Sequence, residues 1–254
     1  MPPDWRLFHL RRSTAKRLFF EVPLRCSEHY RNLTLTTMLV FFIAELHHYG
    51  KADYDDATRF YKEALELAQK NNDLWYQASC LHRIGLTVGS KARLLNLDAS
   101  MSYFREALKI FKTIQDKDGQ ANVLEAIALG FRIQDKDNEA IKYFNQVLKL
   151  IGDNRDVMKA DIFGDLANIY EIQNQFHLSL KFLKKSLDLK EKLKDENGRS
   201  QILIKIGLLY VNYQQVSMGL DYLQKALEIL EELHSPDAKV VKQIIAEVMN
   251  DRLR

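Results

Sequence analysis

The sequence predicts an all-α fold: an α-solenoid of about five stacked helix-turn-helix repeats with a C-terminal capping helix. Three observations predict it. First, a pair of small residues seven apart recurs as Ala57/Ala64, Ser100/Ala107, Ala140/Val147, Ser179/Ser186 and Gly219/Ala226, the first members separated by 43, 40, 39 and 40 residues. Each pair brackets a bulky apolar residue (Tyr61, Phe104, Phe144, Leu183, Leu223) and is followed at once by a leucine (Leu65, Leu108, Leu148, Leu187, Leu227). Second, an upstream signature keeps the same phase: Val40-Ile43-Ala44, Leu81-Ile84-Gly85, Leu124-Ile127-Ala128, Phe163-Leu166-Ala167 and Leu203-Ile206-Gly207, each followed by His47, Val88, Phe131, Tyr170 or Tyr210. Spacings of three, four and seven put these side chains on one helical face. Third, a fixed period near forty, with only four prolines and ten glycines to interrupt it, signals a stacked array. Short side chains let a neighbouring helix approach, and the bulky residue of the next helix fills the hollow at interior density. No single hairpin buries all of this, so neighbours cover one another.

In order along the chain, residues 1–32 form a basic segment, holding seven Lys/Arg against three acids. Within it Trp5–Val22 is amphipathic and is stopped by Pro23. It reads as an N-terminal cap on the array, a mobile arm, a membrane- or acid-seeking arm for which Trp5, Phe8 and Arg11-Arg12 are apt, or a presequence. The repeats then occupy 33–72, 73–115, 116–152, 153–194 and 195–234, with helices expected over 33–48, 53–71, 74–89, 97–114, 119–134, 137–151, 155–173, 176–193, 198–213, 216–234 and 236–252. The first of these is apolar on several sides (Met38–Ile43) and needs cover. Asn71-Asn72-Asp73, Gly152-Asp153-Asn154 and Glu196-Asn197-Gly198 have turn chemistry. The link from Gly85 to Ser100 is three residues longer than its equivalents, with Lys91-Ala92-Arg93 in the insertion, and reads as a longer loop or a partner-contacting projection. Residues 235–254 form the capping helix. Ser235 before Pro236 and Asp237 gives an N-cap, a first-turn proline and an acid at the positive helix end. Val240, Val241, Ile244, Ile245 and Val248 make its apolar face, which covers the last repeat's flank or pairs with a second copy.

Charge and motifs exclude several functions. The net charge is +3, but residues 1–32 carry +4, so the array itself is near neutral, which argues against a general nucleic-acid-binding surface along its length. The longest apolar stretch, 33–46, is too short to span a bilayer and lies too far from Met1 for a signal peptide. Cys26 and Cys80 read as two reduced thiols, and a cytoplasmic protein, monomeric and without cofactor or metal, is expected. No phosphate loop, Cys-x-x-Cys pair or His-Glu-x-x-His helix is present. His47 and His48 point about 100° apart on a helix, so they read as surface or interface histidines and not as a metal pair. Asp161 and Asp165 share a helix face with Glu171 beyond. Paired carboxylates can do acid–base work, but no nucleophile accompanies them, so a solvated acidic face or a ligand contact is expected and an enzyme is not.

The chain resembles the tetratricopeptide repeat family. Ala226-Leu227-Glu228-Ile229, Asp116-Lys117-Asp118-Gly119-Gln120-Ala121 and Asp195-Glu196-Asn197-Gly198-Arg199-Ser200 carry the resemblance over roughly residues 33–234, and the repeat length is similar to that of kinesin light chains and bacterial peptide sensors. The family's tryptophan near each unit's start and its proline at the second helix's end are absent. The resemblance implies a right-handed α-α superhelix and a non-catalytic scaffold or adaptor that binds a peptide or partner helix in a concave groove. In that family the first helix of each unit lines the groove, which places Arg83, Glu125, Arg132, Asp161, Asp165, Asn168, Glu171, Lys205 and Asn212 there. A clamp for acidic C-terminal peptides needs a lysine where Gly164 stands, so a ligand bearing Lys or Arg toward the acidic fourth repeat is the better match. A peptide-sensing regulator is the alternative; in the bacterial relatives an effector module precedes the array, where this chain has residues 1–32.

Overall fold

The computed structural model describes residues 28–50, 53–92, 97–152 and 155–251. Among them the chain is helical throughout, with no strand. The helices are α1 (Glu28–Glu45), α2 (Tyr54–Lys70), α3 (Leu74–Ala92), α4 (Leu97–Thr113), α5 (Lys117–Ile133), α6 (Asp137–Leu150), α7 (Asp156–Ile172), α8 (Phe176–Lys192), α9 (Glu196–Asn212), α10 (Val216–Glu232) and α11 (Asp237–Asp251), and a π-helical turn, Leu46–Gly50, extends α1. The all-α fold of successive helix pairs is therefore as the periodicity predicts. The basic segment before residue 28, Cys26, Asp153 and Asn154 lie outside the described residues. The molecule divides into two compact units between Tyr143 and Phe144, inside α6. No helix among the described residues is long and apolar enough to cross a membrane.

Seven connections, each of three or four residues, are made possible by one repeated device. Asn72, Gln115, Asp135, Asn174, Lys194, Gln214 and His234 all adopt φ of +50 to +61°, and the next residue's N–H donates back into the helix, as from Asp116 to the Phe111 carbonyl (3.0 Å) and from Gln215 to that of Tyr210 (2.9 Å). This left-handed residue with its long return bond is the Schellman stop, and here no glycine supplies it. The following helix is then capped. Asp53, Asp116 and Asp195 accept from the backbone N–H three residues on, in the last two cases that of Gly119 and Gly198. This corrects the reading of Glu196-Asn197-Gly198 as a turn: those residues are the first turn of α9, and the turn is Leu193–Asp195. The glycines are there for space. A Cβ on Gly119 would strike the Phe111 ring, and one on Gly198 the Asp195 carboxylate. The insertion after Gly85 also differs from expectation, since Lys91 and Ala92 lengthen α3; residues 93–96 are outside the described set.

In the first unit, Tyr61 of α2 is fully buried between Ala44 of α1 and Ile84 of α3. Phe104 of α4 presses on Gly85 of α3, where a Cβ would come within 2.5 Å of the ring. In the second unit Leu183 of α8 packs with Ala167 of α7 and Ile206 of α9, and the buried Ser186 hydroxyl donates to the Ala160 carbonyl at 2.7 Å. The α9–α10 approach is close. A Cβ on Gly207 would meet Leu223 at 2.8 Å and the Gly219 carbonyl at 2.9 Å, so the two backbones touch. Aromatics fill the rest: Tyr170 stacks on Phe182 at 5.5 Å and Tyr210 on Tyr222 at 5.5 Å. Helix α11 sets Val241 and Ile245 against Leu227 and Leu230 of α10. Val240, expected on that face, instead points outward with 57% of its surface exposed, because it leads Val241 by one residue, about 100° around the helix.

Candidate functional site

Each first-of-pair helix must spend one face on its neighbours, and its polar residues are those left over. In the second unit this aligns two rows. Asp161, Asp165, Asn168 and Glu171 climb α7 at spacings of four, three and three, and Lys205 and Asn212 run along α9 one full turn pair apart. The rows meet directly. The Lys205 ammonium donates to the Asn168 carbonyl oxygen at 3.4 Å, and the Asn212 amide donates to Glu171 at 3.4 Å. Asp165 and Lys205 are half-buried and Asn212 is exposed. Gly164 sits in the same stretch of α7, and an added Cβ there would meet no atom within 4 Å. It is a gap in the row that the fold does not demand.

Asp161 is different. Its carboxylate takes a hydrogen bond from the Lys190 ammonium at 2.9 Å, and Lys190 also reaches Asp195 at 3.3 Å. Burial alone lowers the Lys190 pKa, but the hydrogen bonds and charges of Asp161 and Asp195 outweigh it and raise it. Asp161 therefore ties α7 to α8 and the α8–α9 turn, its charge already balanced. Lys190 was not singled out in the sequence because it lies on a second-of-pair helix; its signal was a lysine five residues before a capping aspartate.

In the first unit Arg83 of α3 has a comparable structural tie. Its Nε pairs with Glu45 of α1 at 3.0 Å, and the Tyr61 hydroxyl donates to the same Glu45 oxygen at 2.6 Å. Glu45 is 8% exposed, so this pairing joins α1, α2 and α3 through a buried charge. Glu45 was missed too, although a lone acid inside the apolar run Met38–Leu46 requires a cation. Glu125 and Arg132 are half-buried on α5.

The histidines depart from expectation. His48 is buried (7% exposed), not on the surface. Its Nδ1 shares a hydrogen bond of 3.0 Å with the Thr87 hydroxyl, which also lies 2.7 Å from the Arg83 carbonyl. Burial, then the Arg83 charge, lowers the His48 pKa to about 4. His47 rests its ring 5.2 Å from that of Phe60, with Nδ1 3.9 Å from Asp53 and 3.7 Å from Asp56. One Asp53 oxygen caps α2 and one Asp56 oxygen holds Arg59 at 2.9 Å. The His47 Nδ1 makes no hydrogen bond among the described residues; the Asp53 N–H, donating to the His47 carbonyl at 3.0 Å, is what ties the π-helical turn to the start of α2.

Comparison with known proteins gives a consistent picture. Two segments match models described as tetratricopeptide repeat, residues 39–74 and 160–193. No curated protein matches the chain. Among solved structures, BtubC (BKLC) from P. vanneervenii superposes with a TM-score of 0.70 at 19% identity, over 87% of each chain. The apo form of the quorum sensor NprR from B. thuringiensis gives 0.68 at 12% identity, over 86% of this chain and 60% of that one. Aspartyl phosphate phosphatase F from Bacillus subtilis gives 0.61 at 15% identity, over 93% and 62%. This chain thus spans less than two thirds of the last two, and at these identities the likeness is one of fold.

Proposed function

We propose that the chain, two stretches of which match tetratricopeptide-repeat models, is a non-catalytic scaffold or adaptor holding a peptide or partner helix against the first-of-pair helices, with a Lys or Arg of that ligand directed at the fourth repeat. The observation that carries this reading is the pair of polar rows on α7 and α9. Two of the bonds that join them are long, 3.4 Å each, so an incoming charged ligand can exchange those bonds at little cost. The ligand's cation pairs with Asp165 and Glu171. Asp161 keeps its structural lysine and is excluded from that role, and Arg83 keeps Glu45. Gly164 leaves room for a ligand side chain beside Asp165. Glu125 and Arg132 belong to the same reading in the first unit.

The test is peptide affinity. A Lys/Arg-containing peptide selected on the intact chain loses binding on Asp165→Lys, because attraction becomes repulsion at one site; unchanged affinity removes this reading. Asp161→Asn serves as the contrast, affecting stability and sparing affinity. A peptide-sensing regulator remains the second reading, supported by the shared fold with a protein described as a quorum sensor. A gene for a short exported peptide next to this one, and binding of that peptide by the purified chain, favours it over the adaptor.

A further inference from the structure

Helix α1 presents an apolar face that nothing among the described residues covers. Leu35, Leu39, Phe42, Ile43 and Leu46 are 44%, 58%, 60%, 39% and 52% exposed. Their spacing (four, three, one and three) gathers them into an arc of roughly 100°, opposite the buried Thr37, Val40 and Ala44. Five large apolar side chains in one stripe form a patch of the kind that marks an interaction surface.

We propose that the occupant is the chain's own segment Trp5–Val22, folded back over this stripe as a helix. Written at helical spacing, Phe8, Ala15, Leu18, Phe19 and Val22 fall on one side of the segment, with Trp5 and Leu7 beside them; Arg11 falls on that side too, and its long stem lets its charge reach past the edge to water. The lengths suffice, since eighteen residues of helix run about 27 Å, as do the eighteen of α1, and the stripe Leu35–Leu46 takes up about 17 Å of that. Pro23 stops the segment, and the connection 23–27 before Glu28 is within the range that joins antiparallel helices. So short a tether gives a local concentration of about millimolar, which favours this occupant over a second copy at ordinary protein concentration. The surface left outward is then basic, through Lys16, Arg6 and Arg17.

Tryptophan fluorescence tests this in the full chain. With Trp75→Phe, Trp5 is the sole tryptophan. Its emission should be blue-shifted and protected from acrylamide, in a monomer, independently of concentration. Phe42→Glu, and separately Leu39→Gln, should release it, with far-UV circular dichroism reporting whether α1–α11 stay folded. Both sites are exposed, so neither variant is expected to unfold the chain. Protection that appears only as the protein dimerises assigns the face to a second copy and overturns the proposal. So does protection gained only with anionic phosphatidylserine vesicles, which assigns the segment to a lipid surface. Trp5 exposed under every condition, or protected and indifferent to both α1 variants, overturns it as well.

Discussion

Gly164→Ala and Gly207→Ala add the same methyl to adjacent first-of-pair helices and should shift stability in opposite directions. In a helix interior glycine is about 1 kcal/mol less favourable than alanine. At Gly164 the new Cβ meets nothing within 4 Å, so most of that difference is gained, about 0.5–1 kcal/mol. At Gly207 the Cβ would lie 2.8 Å from Leu223 and 2.9 Å from the Gly219 carbonyl. Leu223 is itself fully buried and the carbonyl is backbone, so neither can swing aside. Overpacking of this kind costs about 1–3 kcal/mol, which exceeds the helix gain. Urea midpoints of the two variants should therefore move apart on either side of the parent, at unchanged slope. Equal tolerance of both methyls, or a stabilised Gly207→Ala, would refute the nesting of α10 on α9.

Other substitutions test the ties around the candidate site. Tyr210→Ala removes a ring stacked on Tyr222 and packed edge-on to Phe176, and should cost about 3–5 kcal/mol in denaturant titration. Lys190→Met strips the cation from Asp161 and Asp195. Both acids are partly solvated, so a loss of about 1–2 kcal/mol is expected, with the binding rows intact in a peptide titration. His48 makes stability pH-dependent. In the unfolded chain it takes up a proton below its ordinary 6.5, whereas in the fold it resists until about 4. Its contribution is thus complete above 6.5 and is lost as pH falls through that window. Thermal melts between pH 7 and 4 should show the decline, and His48→Gln should reduce it, leaving the part due to His82, whose pKa burial lowers to about 3.

The helices were legible because burial repeats along the chain. Ala44, Gly85, Ala167 and Gly207 recur in phase, and a single helix cannot hide them. The stops were harder to read. Gln115, Lys194 and Gln214 take the left-handed conformation that glycine usually marks, so nothing in their chemistry announced a turn, and Gly198, which looked like one, is the third residue of a capped helix. At the site the polar residues off the packing face could be named, but their pairings could not. Asp161 meets a lysine on the neighbouring helix, and Arg83 meets a glutamate about one repeat away. Such pairings depend on which helices abut, and a single helix's periodicity is silent on that. The exposure of Val240 was missed for a similar reason: of two adjacent valines, only the packing of α11 on α10 decides which is buried.

Site-specific photocrosslinking tests the central claim most directly. A benzophenone side chain placed at Asn168 should capture a protein or peptide partner, whereas the same probe at Lys184, exposed on α8, should not. Capture at Lys184 with none at Asn168 would contradict the account, because the polar rows of α7 and α9 would then not be where this chain meets its partner.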